Sequence, residues 1–389
     1  MKIIQIICRT LVGLVFTFSG FVKAVDPLGS AYKFTDYFAS MHLSWLSGLA
    51  FTFSILLSGL EFLVGFTLLF NVKTKLASWG AALFMLIFTP VTLWIAIANP
   101  VHDCGCFGDA LVISNWATFY KNIVIDVMVV ILFLNFKNVK TWLSKFGEIG
   151  FVAGAAILIL GFEIYNFRHL PVIDFRPYKI GSNIPDKMKI PEGAPHDSVS
   201  IYFILKNLQS NQEKEVNQTD YMKDSSYWNP KKWAMVKRND KLISKGYEAP
   251  IHDLTITSVE PQEITGYTEN QNILQDILTN PDYNFWLVAY SLPKSNLDGL
   301  KNAGEIAKFA AGNKLKFYAL TSSGIDLITD VKKKLQLKYS FFNVDETTLK
   351  TMIRANPGLM LLKNGTVVKM WHYNDFPTNE ELSKLISNK

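Results

Sequence analysis

Five apolar stretches of membrane-spanning length occupy the first 167 residues of the chain. They cover residues 4–22, 49–70, 76–98, 116–136 and 149–165. The hydrocarbon core of a bilayer is crossed by about 17 to 25 mostly apolar residues in a helix, because a helix satisfies its own backbone hydrogen bonds. The sequence therefore predicts an α-helical bundle of about five transmembrane helices over residues 1–167, embedded in membrane lipid.

The lysines between these stretches predict the orientation of the bundle, because Lys and Arg resist translocation. Residues 99–115 contain neither Lys nor Arg, which favours the outer side. The lysines of the loops predicted to be cytoplasmic are Lys73, Lys75, Lys137, Lys140 and Lys145, and the exception on the outer side is Lys33. We therefore expect a multi-pass protein of a bacterial inner membrane, with a cytoplasmic N-terminus and everything after Tyr165 in the periplasm.

Arg9, Glu61 and Asp126 fall inside the apolar stretches, where an unpaired charge costs about 2.5 to 3.5 kcal/mol. Arg9 and Glu61 are predicted to form a structural ion pair between helices of opposite direction. Asp126, near the middle of the fourth stretch, either supports proton or quinone chemistry or hydrogen-bonds within the bundle.

Two of the three cysteines lie together in the outer loop "HDCGCFGD", which covers residues 102–109. Gly105 separates Cys104 from Cys106 and lets the backbone take the unusual dihedrals that such a short disulfide needs. A strained disulfide is the labile, oxidising kind, and His102 could lower a thiol pKa by its charge. These residues predict a reactive redox pair, with Cys104 and Cys106 as the catalytic groups.

Two other interpretations of the same loop remain open. The pair could be a permanent staple that fixes the loop between the third and fourth stretches. Alternatively, His102, Cys104 and Cys106 could be three ligands of a soft metal ion. Cys-x-Cys is not the usual zinc spacing and no second pair of ligands is evident, so the sequence favours no metal site.

The rest of the chain is soluble and divides into two parts. Residues 168–245 are rich in proline and aromatic residues and predict a small β-rich connecting module, with a strand at 198–205 and a hairpin at 225–236. Residues 246–389 alternate strand and helix signals and end in a hairpin turned at Asn364-Gly365 and a closing helix. That order predicts an α/β layered domain.

The membrane part resembles the DoxX/MauE group of redox-associated membrane proteins, in particular the Bacteroidota form that is fused to a periplasmic domain. The similar segments are "CRTLVGLVFTFSGFVKAVDPLGSAYKF" from Cys8, "SGLEFLVGF" around Glu61, the Cys-Gly-Cys-Phe-Gly run, and "DFRPYKIG" at 174–181. The resemblance implies a membrane bundle associated with thiol–disulfide chemistry.

The C-terminal part resembles a thioredoxin-like domain, with an entry strand at 249–256 and the family's cis-proline at Pro357. The position of the family's Cys-x-x-Cys reads Ser291-Leu292-Pro293-Lys294, so the domain lacks both sulfurs. The resemblance therefore implies a domain without thiol chemistry of its own. It retains a peptide groove beside Pro357, Ser291 and Lys294.

Two functional interpretations follow. In the first, the protein is a thiol–disulfide oxidoreductase whose loop pair exchanges electrons, with a quinone as the candidate cofactor and a periplasmic thioredoxin-like or cysteine-containing client as the partner. In the second, it is a non-enzymatic scaffold or assembly factor with a structural loop disulfide. A nucleic-acid partner is not expected despite the net charge of +6, because no basic cluster accompanies that charge.

Overall fold

We describe the chain from a computed structural model, which covers residues 2–101, 103–135, 141–244 and 246–387. Within these residues, five helices are long and apolar enough to cross a membrane, as predicted. They are Ile3–Val25, Ser44–Leu69, Thr74–Ala98, Asn115–Leu134 and Lys145–Arg168.

The N-terminal part consists of six helices. Their bounds are α1 Lys2–Val25, α2 Pro27–Ser40, α3 Ala50–Leu69 after a 3-10 turn at Ser44–Leu49, α4 Thr74–Ala98, α5 Asn115–Asn135 and α6 Lys145–Arg168. Helix α2 lies between the first two spans, in a segment for which only a loop was predicted. Asp26 caps it by accepting a hydrogen bond from the Gly29 backbone N–H at 2.8 Å, and Pro27 opens it.

Glycines set the packing of α1 against α3. A Cβ on Gly65 would lie 2.2 Å from the Thr17 backbone nitrogen, and one on Gly20 would lie 2.4 Å from that of Phe62. These contacts pair the two helices antiparallel at a separation that only small residues allow, which is a common way to pack helices in membranes.

The chain divides into two compact units, Met1–Asn183 with Leu254–Lys389, and Ile184–Asp253. The second unit contains helix α7 Ile184–Met188, strands β1 Ser198–Asn207, β2 Glu213–Asn217 and β3 Trp233–Ser244, and helix α8 Gln218–Lys223. The strands form an antiparallel sheet in the order β2-β1-β3.

The predicted hairpin at 225–236 is wrong. Asp224 accepts a hydrogen bond from the Ser226 N–H and starts a 3-10 turn over Ser225–Trp228, so the chain reaches β3 without a preceding partner strand. Strand β3 pairs with β1 instead.

The C-terminal part of the first unit is a mixed α/β region. Its strands are β4 Thr257–Ser258, β5 Tyr283–Val288, β6 Lys316–Thr321, β7 Phe341–Asn343, β8 Gly358–Lys363 and β9 Thr366–His372. Its helices are α9 Gln262–Thr265, α10 Leu274–Leu278, α11 Leu297–Gly312, α12 Ile325–Leu335, α13 Glu346–Met352 and α14 Asn379–Ser387. The sheet order is β4-β7-β6-β5-β8-β9, with β5, β6 and β7 parallel.

Most of the predicted elements of this region are present. Strand β5 is buried after Tyr283 and apolar from Phe285 onward, helix α11 ends at Gly312 as predicted, and β8 and β9 form the hairpin turned at Asn364-Gly365. The entry strand predicted at 249–256 is wrong, because these residues lie in no strand and the two-residue β4 begins only at Thr257.

Candidate functional site

The Cys104/Cys106 loop lies between α4 and α5 and brings its two sulfurs to 2.7 Å from each other. Gly105 has a φ of +65° and Gly108 one of +52°, both in the left-handed region that favours glycine. A Cβ on Gly105 would also lie 3.2 Å from the Lys33 side chain. All three cysteines of the chain are free in the structure. The loop is therefore built so that its two thiols can join into a disulfide of about 2.05 Å with little movement.

Side chains from α1 and α2 hold the backbone of this loop. The Cys106 carbonyl accepts hydrogen bonds from the Lys23 ammonium at 2.7 Å and from the Ser19 hydroxyl at 2.7 Å. The Tyr37 hydroxyl donates to the Cys104 carbonyl. Both cysteines are thus fixed through their own carbonyls, which sets the direction of their side chains.

A second set of contacts fixes the start of the loop. Lys33 forms an ion pair with Asp103 at 2.7 Å, and the other Asp103 oxygen accepts the Gly105 N–H at 2.8 Å. Lys33, the exception to the predicted charge pattern, is therefore paired with a carboxylate of the loop itself.

Glu61 pairs with Lys23 at 2.8 Å, not with Arg9 as predicted. The register of α1 against α3 puts Gly20 opposite Phe62, so Glu61 lies about a dozen residues from the level of Arg9, or about 18 Å along the helix. The Arg9 Nε is buried and has no hydrogen-bond partner among the described residues. The prediction placed the two charges about a turn apart in depth, without knowing the helix register that decides which residues pair.

A cavity of about 230 Å³ opens beneath the two cysteines, between α1, α2, α3, α4 and α5. Most of its wall is apolar, with Phe16, Phe34, Phe84, Met85, Phe88 and Ile95 among its lining. Its polar groups lie close to the loop and include Lys23, Glu61, Tyr37, Lys121 and Asn122. The cavity is therefore apolar for most of its surface and charged where it meets the thiols.

The surroundings of the two thiols drive their pKa values in opposite directions. The hydrogen bond from Cys104 lowers the pKa of Cys106 to about 7, with the positive charges of Lys121 and Lys23 acting in the same direction. The same hydrogen bond and burial raise the pKa of Cys104. Cys106 is therefore the more acidic thiol of the reduced pair, and the thiolate it forms is the nucleophile of disulfide exchange.

We expect reduced protein to react with iodoacetamide at Cys106 first, with a rate that rises between about pH 6 and pH 8 and then levels off, because the thiolate fraction follows a pKa of about 7. Mass spectrometry of alkylated peptides against pH measures this. In Cys104→Ala the rise should move to higher pH, since the thiol hydrogen bond is lost. A rise centred near pH 8.5 in the unaltered protein would contradict the assignment.

Asp126, which was predicted to support the pair, does not line the cavity beneath it. Asp126 accepts a hydrogen bond from the Thr89 hydroxyl at 2.9 Å within the bundle. Its neighbour Lys121 lies over the Phe107 ring at 4.5 Å. His102 lies outside the described residues. Within those residues, no group of three or more His, Cys, Asp or Glu side chains could hold a metal ion.

The residues of the predicted peptide groove lie together at the start of β8. The Asn356–Pro357 peptide is cis, and Pro357 is buried. The Asn356 amide donates to the Ser291 carbonyl at 3.0 Å, which ties this turn to the segment after β5. Lys294 is exposed.

Sequence reasoning missed one residue that reaches the cysteine loop from far along the chain. Arg354 precedes Pro357 and bonds Asp26 and Asp109, which belong to the membrane part. A single sequence contains no signal for a pairing between residues 328 positions apart. Lys23 was also missed, because Glu61 lies well inside its span and Lys23 at the end of α1, and the sequence does not show the helix register that brings them together.

Comparison with known proteins bears on the membrane part. A search of curated proteins and a search of solved structures found no match. The family model described as methylamine utilisation protein MauE matches residues 1–135, which contain α1 to α5 and the cysteine loop. The MauE part of the predicted resemblance is confirmed for this stretch, and residues 1–135 are similar to that family of membrane proteins.

Proposed function

We propose that the protein is an integral membrane thiol–disulfide redox protein whose reactive groups are Cys104 and Cys106. The observation that carries this proposal is the juxtaposition of the two sulfurs, 2.7 Å apart, at the mouth of a cavity between membrane-spanning helices. A staple needs neither a thiol with a pKa near 7 nor an open cavity at its sulfurs. Both features are required of a pair that cycles.

The proposed cycle has two balanced steps. In the first, a client dithiol attacks the Cys104–Cys106 disulfide, so that the client gains a disulfide and the loop becomes a dithiol. In the second, the loop dithiol returns to the disulfide and gives up two electrons and two protons to an acceptor. In that second step Cys106 loses its proton first and becomes the thiolate, whose charge Lys23 and Lys121 stabilise, and the Cys104 proton follows as the sulfurs join.

The cavity fits a quinone as that acceptor. Its apolar wall suits a lipid-soluble ring, and Lys23, Tyr37 and Lys121 would supply polar contacts beside the cysteines. Bound there, a quinone would take up two electrons and two protons and leave as the quinol. Lys23 and Glu61 would hold the Cys106 carbonyl in place while the sulfurs change their bonding.

The proposed location is a bacterial inner membrane, with the cysteine loop and the C-terminal region in the periplasm. The described part of residues 99–115 has neither Lys nor Arg, whereas Lys73 and Lys75 flank the opposite end of α4. This distribution follows the positive-inside rule. A periplasmic loop would lie where thiols are oxidised and clients with disulfides occur.

We propose further that the C-terminal region is a thioredoxin-like docking domain for a partner. The cis peptide before Pro357, at the start of β8, and the parallel strands β5 and β6 followed by the β8–β9 hairpin support that assignment. Ser291 and Lys294 occupy the positions of the missing cysteines, so the domain would bind and position partners without exchanging disulfides.

The midpoint potential of the pair tests the redox proposal against the scaffold alternative. Purified protein is equilibrated across a dithiothreitol or glutathione series. The reduced form, which is alkylated, and the disulfide form are then quantified by mass spectrometry. We expect a reversible couple in the range of about −120 to −230 mV that exchange catalysts span. A bond that resists reduction below about −300 mV would be a structural staple, and the protein would then be a scaffold.

A further inference from the structure

Arg354 joins the C-terminal region to the membrane part through two carboxylates. Its Nε lies 3.0 and 2.8 Å from the two oxygens of Asp26, and its Nη2 lies 3.0 Å from Asp109. The guanidinium side chain is only 6% exposed. Because a buried guanidinium without partners is very costly, these two carboxylates are what allow Arg354 to lie there.

Both carboxylates are fixed to parts of the site. Asp26 caps α2, the helix that supplies Tyr37 and Lys33 to the cysteine loop. Asp109 ends the loop itself, three residues after Cys106. We call the contact of Arg354 with Asp26 and Asp109 the clasp.

The outer side of the cysteine loop is covered by the chain that follows α6. Gly105, Gly108 and Asp109 line a small space of about 30 Å³ whose other wall includes Pro171, Phe175 and Arg176. Arg176 is itself buried and bonded to Asp174 at 2.7 Å. A space of this size holds about one or two water molecules and no protein side chain from a partner.

Aromatic contacts also join α2 to the segment beside the predicted peptide groove. Tyr32 of α2 packs edge-to-face on Tyr290 with ring centres 6.3 Å apart, and Lys350 lies over the Tyr32 ring at 4.9 Å. Tyr290 directly precedes Ser291. The face of the C-terminal region that would receive a client is therefore turned toward the cysteine loop of the same chain.

We propose that the clasp closes the outer route to Cys104 and Cys106, so that this structure is the state in which the pair faces only the membrane cavity. A client protein reaches the sulfurs after Arg354 leaves Asp26 and Asp109 and the covering segment moves away. The closed state separates the two steps of the cycle, since the pair cannot meet a client and the cavity's ligand at once. This inference rests on the proposed function only in taking these cysteines as the reactive pair.

Thiol accessibility tests the clasp independently of redox turnover. Full-length protein with Cys8→Ser is reduced with dithiothreitol, and the dithiothreitol is then removed. One sample is labelled with a bulky maleimide that carries a polyethylene glycol chain, and a second sample with the small reagent N-ethylmaleimide. We expect Arg354→Gln to speed the bulky label by about 10-fold or more and to leave N-ethylmaleimide labelling nearly unchanged. Lys308→Gln is the matched control, because Lys308 forms an exposed pair with Glu305 on α11.

A second variant covers the case in which Arg354→Gln does not fold. Asp26→Asn removes one charge of the clasp but keeps the cap of α2, because asparagine caps a helix as well as aspartate does. It should speed the bulky label in the same direction. Equal bulky-label rates in the unaltered protein and in a folded clasp variant would overturn the proposal. Because the protein is reduced first, a failed redox cycle would not change this result.

Discussion

Cys106→Ser should abolish quinone reduction driven by dithiothreitol. The purified protein in lipid nanodiscs is given dithiothreitol and a short-chain quinone, and quinol is followed by absorbance. We expect turnover to fall by about 10³-fold or more, to the uncatalysed rate, because serine can neither form the disulfide nor supply a thiolate. The expected loss is large because both halves of the proposed cycle pass through this sulfur.

Two companion variants make that result specific. Cys8→Ser should keep full turnover, since Cys8 is buried in the packing of α1 with α4 and α5 and lies far from the loop. Cys104→Ala should also lose turnover, and it should in addition raise the pKa of Cys106 by removing the hydrogen bond that lowers it. Loss in Cys8→Ser as large as in Cys106→Ser would point to damaged packing.

The outcomes separate the parts of the proposal. Turnover retained by Cys106→Ser would exclude redox chemistry at the pair. A reversible couple without any quinone turnover in the unaltered protein would leave the pair as a redox site and exclude the quinone as its acceptor.

The membrane spans could be predicted from the sequence because the bilayer imposes a length and a composition on each of them. The strands of the α/β region could be predicted for a similar reason, since "NFWLVAY" and "LKFYAL" are apolar runs that only a buried strand or helix accommodates. The strand at 249–256 was predicted from a resemblance alone, and the segment contains Pro250, His252 and Asp253 in place of a continuous apolar run.

The partners of charged residues could not be predicted, because they depend on helix register. Helix α1 has more than one cation, and only the close approach at Gly20 and Gly65 brings Lys23 to the level of Glu61 and leaves Arg9 far away. Arg354 depends on a contact between parts of the chain that share no local pattern. The cysteines of the site were visible in the sequence, and the groups that tune and cover them were not.

Lys23→Met should be the most destabilising single change near the site. Lys23 bonds Ser19, Glu61 and the Cys106 carbonyl, and methionine keeps its length while removing all three contacts. Glu61, whose side chain is 14% exposed, would then be a nearly buried charge without its cation. Breaking such a pair costs about 3 to 5 kcal/mol. We expect a fall of several degrees in the Tm of the detergent-solubilised protein, read by differential scanning fluorimetry.

The double variant Lys23→Met with Glu61→Gln shows whether the unpaired charge is the cause. A neutral pair avoids the cost of a buried carboxylate, so the double variant should recover most of the lost stability. Lys308→Met, which breaks an exposed pair, should change the free energy of unfolding by at most about 1 kcal/mol. If the double variant were no more stable than Lys23→Met alone, the lost contacts to Ser19 and Cys106 would account for the effect. Lys23 would then matter chiefly as the anchor of the cysteine loop.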